Sequence, residues 1–376
     1  MADSVEVRPP DPAAAKRLHS ARRRRAGLAG LGAAGLLAGD LALVVGGIAR
    51  AAAKHPPAVD DGPDPLLVDP GRLMRSTVVP TADGTLLHAE TSVNLDDHPS
   101  DEVLVFVHGW TCSTRFWNPQ MNHFGGDRPV IAFDHRGHGL SEMGKARVTV
   151  DVLGQDLEAV LTTLLPPGKR AILVGHSMGG MAIMSWAAQY GAGRGVDGPG
   201  SRMADRIAAV VLTSTTPRDV VQQQLLTPAD LPRYTRAVRP LVARAFVSTP
   251  VPLPSNNLST RLTHYLALGP HARAAHVKFT DELIAAGSPR ARAAWGSALY
   301  RLNVVAGLEA LTVPTLVVVG DRDLLTPPPH SDFMAEVLDR NGVLLDYVTY
   351  PGAGHMVPIE RALSYNQLID DVLASV

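Results

Sequence analysis

Ala171-Ile172-Leu173-Val174-Gly175-His176-Ser177-Met178-Gly179-Gly180 decides the fold. Its apolar start reads as a strand buried on both faces. Gly180 opens a helical pattern that runs to Tyr190. Between them stands G-x-S-x-G. Glycines two before and two after the serine permit a sharp strand-to-helix turn that projects the hydroxyl outward. A plain Gly-rich strand-to-helix turn would read the same way over these ten residues, so the partners elsewhere in the chain carry the argument.

A serine hydroxyl is a poor nucleophile. It needs a base, and the base needs an orienting acid. In this chain order the acid follows the serine and the histidine comes last. Gly320-Asp321-Arg322-Asp323 follows an apolar run, and Gly354-His355 follows the final one, with His355 32 residues beyond Asp323. Both lie where strands end, the place at which α/β sheets gather their chemistry. Of 14 histidines, His355 stands out by this position. The acid is one of two aspartates. Alternation along a strand cannot choose between Asp321 and Asp323, because they share a face and Gly320 lets the chain turn. Backbone donors must meet the oxyanion. Met178, after the nucleophile, offers one N–H, and Trp110 in His108-Gly109-Trp110 offers the other. His108 and His176 read as structural.

Working outward, strand-like runs stand at Ser76–Pro80, Leu86–Val93, Val103–Val107, Pro129–Phe133, Ala208–Leu212, Thr315–Val319 and Leu344–Tyr350. Ala82-Asp83-Gly84 signals a hairpin turn between the first two. Helical patterns lie at Val150–Leu165, Gly180–Tyr190 and Ser331–Asn341. The alternation predicts an α/β fold: a mostly parallel central sheet flanked by helices. Residues 217–306 break it. They are Pro-rich, carry amphipathic helix patterns and are too long for a loop, so an inserted helical cap is expected there. The core is then residues 73–216 and 307–376. Phe246, His264, Tyr265 and Trp295 are candidates to line a substrate pocket, and each reads first as packed interior of the insertion.

These motifs resemble the α/β-hydrolase fold family, in a serine-nucleophile branch with a cap (esterase-, lipase- and haloperoxidase-like). The resemblance covers residues 76 to 374. It rests on His108-Gly109-Trp110, the D-x-R-G-x-G-x-S stretch from Asp134 to Ser141, the serine elbow, Gly320 to Asp323 with Pro327, and Gly354-His355. The family pattern G-x-x-D-x-x-x-P assigns Asp323 as the acid, which leaves Asp321 as a turn residue. The resemblance implies that Asp134 and Arg136 are structural. It also implies that the insertion after the sixth strand covers the site. Epoxide hydrolases and haloalkane dehalogenases of this branch carry aspartate at the elbow, so Ser177 argues against those activities. The expectation is a serine hydrolase of carboxylic esters, with catalytic Ser177, Asp323 and His355, oxyanion donors Trp110 and Met178, a small apolar ester as substrate, and neither metal nor organic cofactor. Cofactor-free perhydrolysis or haloperoxidation and carbon–carbon bond hydrolysis use the same triad. A non-catalytic binding scaffold is the reading from another class.

Composition sets the remaining bounds. The chain has 376 residues, 45% hydrophobic and 19% charged, enough for a sizeable core. Thirty-five Lys plus Arg against 36 Asp plus Glu leave no cationic excess for nucleic acid. Cys112 is the single cysteine, which excludes an intrachain disulfide and a thiolate zinc site. It reads as a small packed residue.

The amino end differs. Residues 1–54 carry nine Lys or Arg and four Asp or Glu. Residues 1–21 read as a disordered polar segment. Residues 22–54 combine the Arg22–Arg25 block with an apolar stretch, Ala26–Ala49, that holds one charge, Asp40. A basic flank before 24 such residues suits a membrane anchor, and A-x-A patterns at Ala49–Ala51 and Ala51–Ala53 suit a cleaved signal. Either places the catalytic body outside the cytoplasmic membrane, with membrane association through residues 22–50 in the first case. A soluble or interfacial extension of a cytoplasmic protein is the third reading. Residues 55–72 read as a linker.

Overall fold

The computed structural model describes residues 43–191, 201–220, 224, 244, 245 and 247–376. Eight strands form one sheet: β1 (Met74–Pro80), β2 (Leu86–Ser92), β3 (Glu102–Val107), β4 (Val130–Phe133), β5 (Arg170–His176), β6 (Ile207–Thr213), β7 (Thr315–Gly320) and β8 (Leu344–Tyr350). Their order is β1-β2-β4-β3-β5-β6-β7-β8. β1 and β2 form an antiparallel hairpin, and β2 also runs antiparallel to β4. From β4 to β8 every pairing is parallel. All eight strands coincide with runs legible in the sequence.

Alternation along each central strand feeds two cores, one per face. Val103, Val105 and Val107 of β3 point into one, and Leu104 and Phe106 into the other. The first face is covered by α2 (Val150–Leu164), α3 (Met178–Tyr190) and α7 (Pro328–Arg340), through Leu153, Leu157, Met181, Ile183, Met334 and Val337. The second is covered by α1 (Asn118–Phe124) and α8 (Ala362–Ala374), through Met121, Phe124, Tyr365, Ile369 and Val372. Each such buried side chain is worth about 1.5–3 kcal/mol of transfer free energy.

β8 departs from expectation. Its residues are half-exposed rather than buried on both faces. The cause is position: β8 is the outer strand of the sheet and pairs with β7 alone.

Between β6 and β7 the described residues form α4 (Asn257–Ala267), α5 (Ala274–Ala286), α6 (Pro289–Leu299) and a short helix, Val305–Glu309, and no strand. Asn256 starts α4 with a reciprocal cap, accepting from Ser259 N–H while the Ser259 hydroxyl accepts from Asn256 N–H. Trp295 of α6 is fully buried, and its Nε1–H donates to the Arg136 carbonyl at 2.8 Å, so the insertion is anchored on the core. His264 is buried in the insertion as expected. Phe246 lies outside the described residues.

Residues 55–72 are docked rather than free. Val59 N–H bonds to Ala272 O at 2.9 Å, and Ala274 N–H to Val59 O at 2.7 Å. Asp64 Oδ2 accepts from Arg273 at 2.6 Å and from His276 at 2.8 Å. Asn118 and Asn122 of α1 donate to the carbonyls of Leu67, Leu66 and Val68. The proline and aspartate content that suggests a linker serves turns instead: Asp64 caps the short helix Pro65–Leu67.

Residues 1–21, expected from the sequence to be disordered, and the arginine block fall outside the described residues, as does most of the apolar stretch. Residues 43–54 are helical. Among the described residues no helix is long and apolar enough to cross a membrane.

Candidate active site

The parallel register brings the ends of β3, β5, β7 and β8 to one edge, and Trp110, Ser177, Met178, Asp323 and His355 follow those strand ends. Ser177 follows β5 and precedes α3, with φ 52° and ψ −116°. The strained conformation falls on the serine itself. The flanking glycines supply space: a Cβ on Gly179 would overlap the Val107 carbonyl, and one on Gly175 would sit 2.6 Å from Ile183 Cδ1. The elbow is tied to the end of β6, with Ser177 N–H to Thr213 O at 3.0 Å and Thr215 Oγ1–H to Ser177 O at 2.6 Å. Between Ala171 and Gly180 only Ser177 is partly accessible.

Asp323 and His355 meet. His355 Nδ1–H donates to Asp323 Oδ2 at 2.8 Å, and both are buried. Asp323 also accepts from the N–H groups of Leu325 and Thr326 at 2.8 and 2.9 Å and from the Thr326 hydroxyl at 2.9 Å. Asp321 does something else: its Oδ1 accepts from Gly352 N–H at 2.7 Å, at the surface. Of the two aspartates, Asp323 is the one bonded to His355. His176 links the histidine to the elbow. Its Nε2–H donates to His355 O at 2.9 Å, its other face stacks on Phe116, and burial holds its pKa well below the ordinary value. It is structural, as expected. Among the described residues no hydrogen bond joins Ser177 Oγ to His355. Such contacts often tighten only when substrate binds.

The proposed oxyanion donors flank the serine. Met178 is the first residue of α3, where N–H groups lack helical partners. The Trp110 N–H has no backbone acceptor among the described residues. A Cβ built on Gly109 would lie 3.1 Å from Ser177 Cβ, so the Gly109–Trp110 peptide runs beside the nucleophile. The Trp110 ring turns toward the insertion and donates from Nε1 to Arg292 O at 3.1 Å.

His108 buttresses this loop. Its Nδ1–H donates to Gly109 O at 2.7 Å and its Nε2 accepts from His135 N–H at 3.1 Å. His138 Nε2 accepts from Thr111 N–H at 3.2 Å. Burial lowers the pKa of His135 to about 3 and of His138 to about 4, so this histidine cluster is neutral and engaged with backbone groups. Cys112 is buried, and burial pushes its thiol up to about 12, which makes it inert at neutral pH.

The Asp134–Ser141 stretch is structural in its contacts. Asp134 accepts from His88 at 2.8 Å and from the N–H groups of Thr114 and Leu140 at 2.7 and 2.9 Å. Arg136 binds Asp156 through two nitrogens at 2.8 and 2.6 Å. Gly139 has φ 48°, and a Cβ there would overlap the Asp134 carboxylate. Gly139→Ala should therefore destabilise by at least about 2 kcal/mol. A thermal melt reads this directly, and an unchanged Tm would contradict the account.

Three contributors escape a reading of catalytic motifs: Thr326 and Thr215, named above, and Glu360. Glu360 accepts from Gly269 N–H at 2.7 Å and from Gly354 N–H at 2.9 Å. Its signal is a lone carboxylate closing the apolar run Met356-Val357-Pro358-Ile359. Burial raises its pKa from 4.5 to about 7, against the opposing pull of those donors and of Arg361. Between these values the folded chain binds more protons than the unfolded one, so this group makes stability fall as pH rises from about 4.5 to about 7. Relative to wild type, Glu360→Gln should gain Tm across that window. A pH-independent difference between the two melting curves would refute it.

The alpha/beta hydrolase fold family matches residues 102–362. A non-heme chloroperoxidase of Burkholderia pyrrocinia is 29% identical over 68% of this chain and 86% of its own length. A bifunctional esterase/perhydrolase of Acinetobacter calcoaceticus is 27% identical over 72% of this chain and 90% of its own length. Among solved structures, a thermophilic esterase from Thermogutta terrifontis superposes with TM-score 0.59 at 22% identity, covering 80% of this chain and 98% of that one. A sheet of this order, a serine elbow at its edge and a match across most of the chain leave one assignment: the protein belongs to the α/β-hydrolase fold family. It is an enzyme of the hydrolase kind.

Proposed function

We propose that the protein cleaves carboxylic esters through an acyl-serine intermediate. The observation that carries the proposal is the buried Asp323–His355 pair, 2.8 Å apart, tied through His176 to an elbow that bears the accessible Ser177. Ser177 Oγ attacks the ester carbonyl carbon while His355 Nε2 takes its proton. Asp323 fixes the tautomer with the proton on Nδ1 and stabilises the imidazolium. The N–H groups of Trp110 and Met178 meet the oxyanion. His355 then gives its proton to the departing alcohol. In the second half it removes a proton from water, which attacks the acyl-enzyme and frees the acid and Ser177. These steps use side chains, backbone and water alone. The insertion between β6 and β7 serves as the cap and selects a small, apolar ester. The relative named as a bifunctional esterase/perhydrolase supports the reaction class.

Hydrolysis of p-nitrophenyl esters of rising acyl length tests this, with a parallel arm containing acetate and hydrogen peroxide. Turnover of short and medium esters well above the Ser177→Ala background is expected. Peracid formation without ester hydrolysis would overturn the reading. As a separate proposal, residues 22–50 attach or export the chain, which puts the catalytic body outside the cytoplasmic membrane. The basic block followed by an apolar stretch supports it. Full-length protein should then sediment with membranes after carbonate washing or lose its amino end on export, and an intact carbonate-soluble chain would refute both.

A further inference from the structure

The loop that carries His355 is mounted partly on the insertion. His355 N–H donates to Ala267 O, the last residue of α4, at 2.9 Å. Immediately after α4 the chain passes so close to the loop that a Cβ on Gly354 would overlap the Leu268 carbonyl carbon. One side chain bonds both partners at this seam. Glu360 Oε2 takes Gly269 N–H from the insertion, and Oε1 takes Gly354 N–H, one residue before His355. Glu360 is 7% exposed, and its upward pKa shift reflects the cost of burying the carboxylate. No salt bridge to a cation offsets that cost among the described residues. Arg361 pulls on the charge without pairing with it, and a buried carboxylate that has no ion pair is a poor stabiliser of a fold. What it does provide is two charge-assisted bonds that hold two distant stretches of chain at one spacing.

We propose that Glu360 is a positioning residue for His355, fixing the imidazole by fastening its loop to the insertion. The proposal rests on the triad reading given above. Ala267, Gly269, Gly354 and His355 then form one unit, so any shift of the insertion at this end is transmitted to the base. Glu360 itself touches neither substrate nor reacting atoms. Its loss should lower turnover through geometry, since displacement of a catalytic group by about 1 Å can cost on the order of 10²-fold.

The test uses full-length protein and the variants Glu360→Gln and Glu360→Asp. Gln keeps the volume but turns an –NH₂ toward one of the two N–H donors. Asp keeps the charge but is too short to span both. Reactive sites are counted by titration to completion with a fluorophosphonate, and p-nitrophenyl ester hydrolysis is expressed per titrated site, well below each Tm. We expect kcat per site to fall roughly 10- to 100-fold in Gln and less in Asp, with KM within about twofold of wild type. Wild-type kcat per site with only a lowered Tm would reduce Glu360 to a structural residue and overturn the proposal. A raised KM at unchanged kcat would overturn it as well. Should Gln fail to fold, the Asp variant decides by the same two readouts. Failure of the triad reading shows in a different arm, as wild-type protein that takes up no probe at Ser177.

Discussion

Ser177→Ala should abolish ester hydrolysis while leaving the fold in place. In serine enzymes of this logic, loss of the nucleophile costs roughly 10⁶-fold in kcat. The side chain is small, and its hydroxyl makes no hydrogen bond among the described residues, so its removal leaves no buried partner unsatisfied. The elbow depends on backbone contacts, Ser177 N–H to Thr213 O and Thr215 Oγ1–H to Ser177 O, which alanine keeps. The positive φ at residue 177 is strained for serine and alanine alike. Tm should thus stay within a degree or two of wild type. Steady-state hydrolysis and a thermal melt on the same preparation check both halves. Retention of more than about a hundredth of wild-type kcat would remove Ser177 from the mechanism.

Asp323→Asn should lower kcat by roughly 10⁴-fold, because an amide in place of the carboxylate holds the imidazole in the wrong tautomer. Asp321→Asn should cost far less. Its carboxylate accepts from Gly352 N–H and lies 3.7 Å from the exposed Arg322 Nε at the surface, where an amide oxygen can keep the Gly352 bond and an exposed ion pair is worth little. The contrast matters more than either value, since the two aspartates stand two residues apart at the end of β7. Ester hydrolysis by both variants decides the assignment. A dead Asp321→Asn beside a nearly normal Asp323→Asn would reverse it.

How far the site is legible in the sequence depends on how local each signal is. The elbow is contained in ten residues, and its strand, turn and helix follow from apolar run and glycine spacing. Asp323 and His355 are legible as strand-end residues, but the preference for Asp323 over Asp321 needs the family pattern or the observed contact, because period-2 alternation treats both alike. The edge position of β8 is only hinted at by Asp346 and Thr349 within Leu344–Tyr350; which strands neighbour it is a property of topology. Docking of residues 55–72 is likewise hidden. Asp64 meets Arg273 and His276, partners more than 200 positions away, and no local pattern announces such a pair. Glu360 lies between these cases. A carboxylate ending an apolar run hints at burial, while its two backbone partners, Gly269 and Gly354, emerge only from the fold.

The central claim is that Ser177 forms the covalent bond. Incubation of the purified protein with a fluorophosphonate, followed by intact-mass measurement and peptide mapping, tests it most directly. The account predicts a single adduct per chain, on the peptide containing Gly175-His176-Ser177-Met178-Gly179, absent from Ser177→Ala and slowed in Asp323→Asn. An unmodified protein, or an adduct on any other residue, would contradict it.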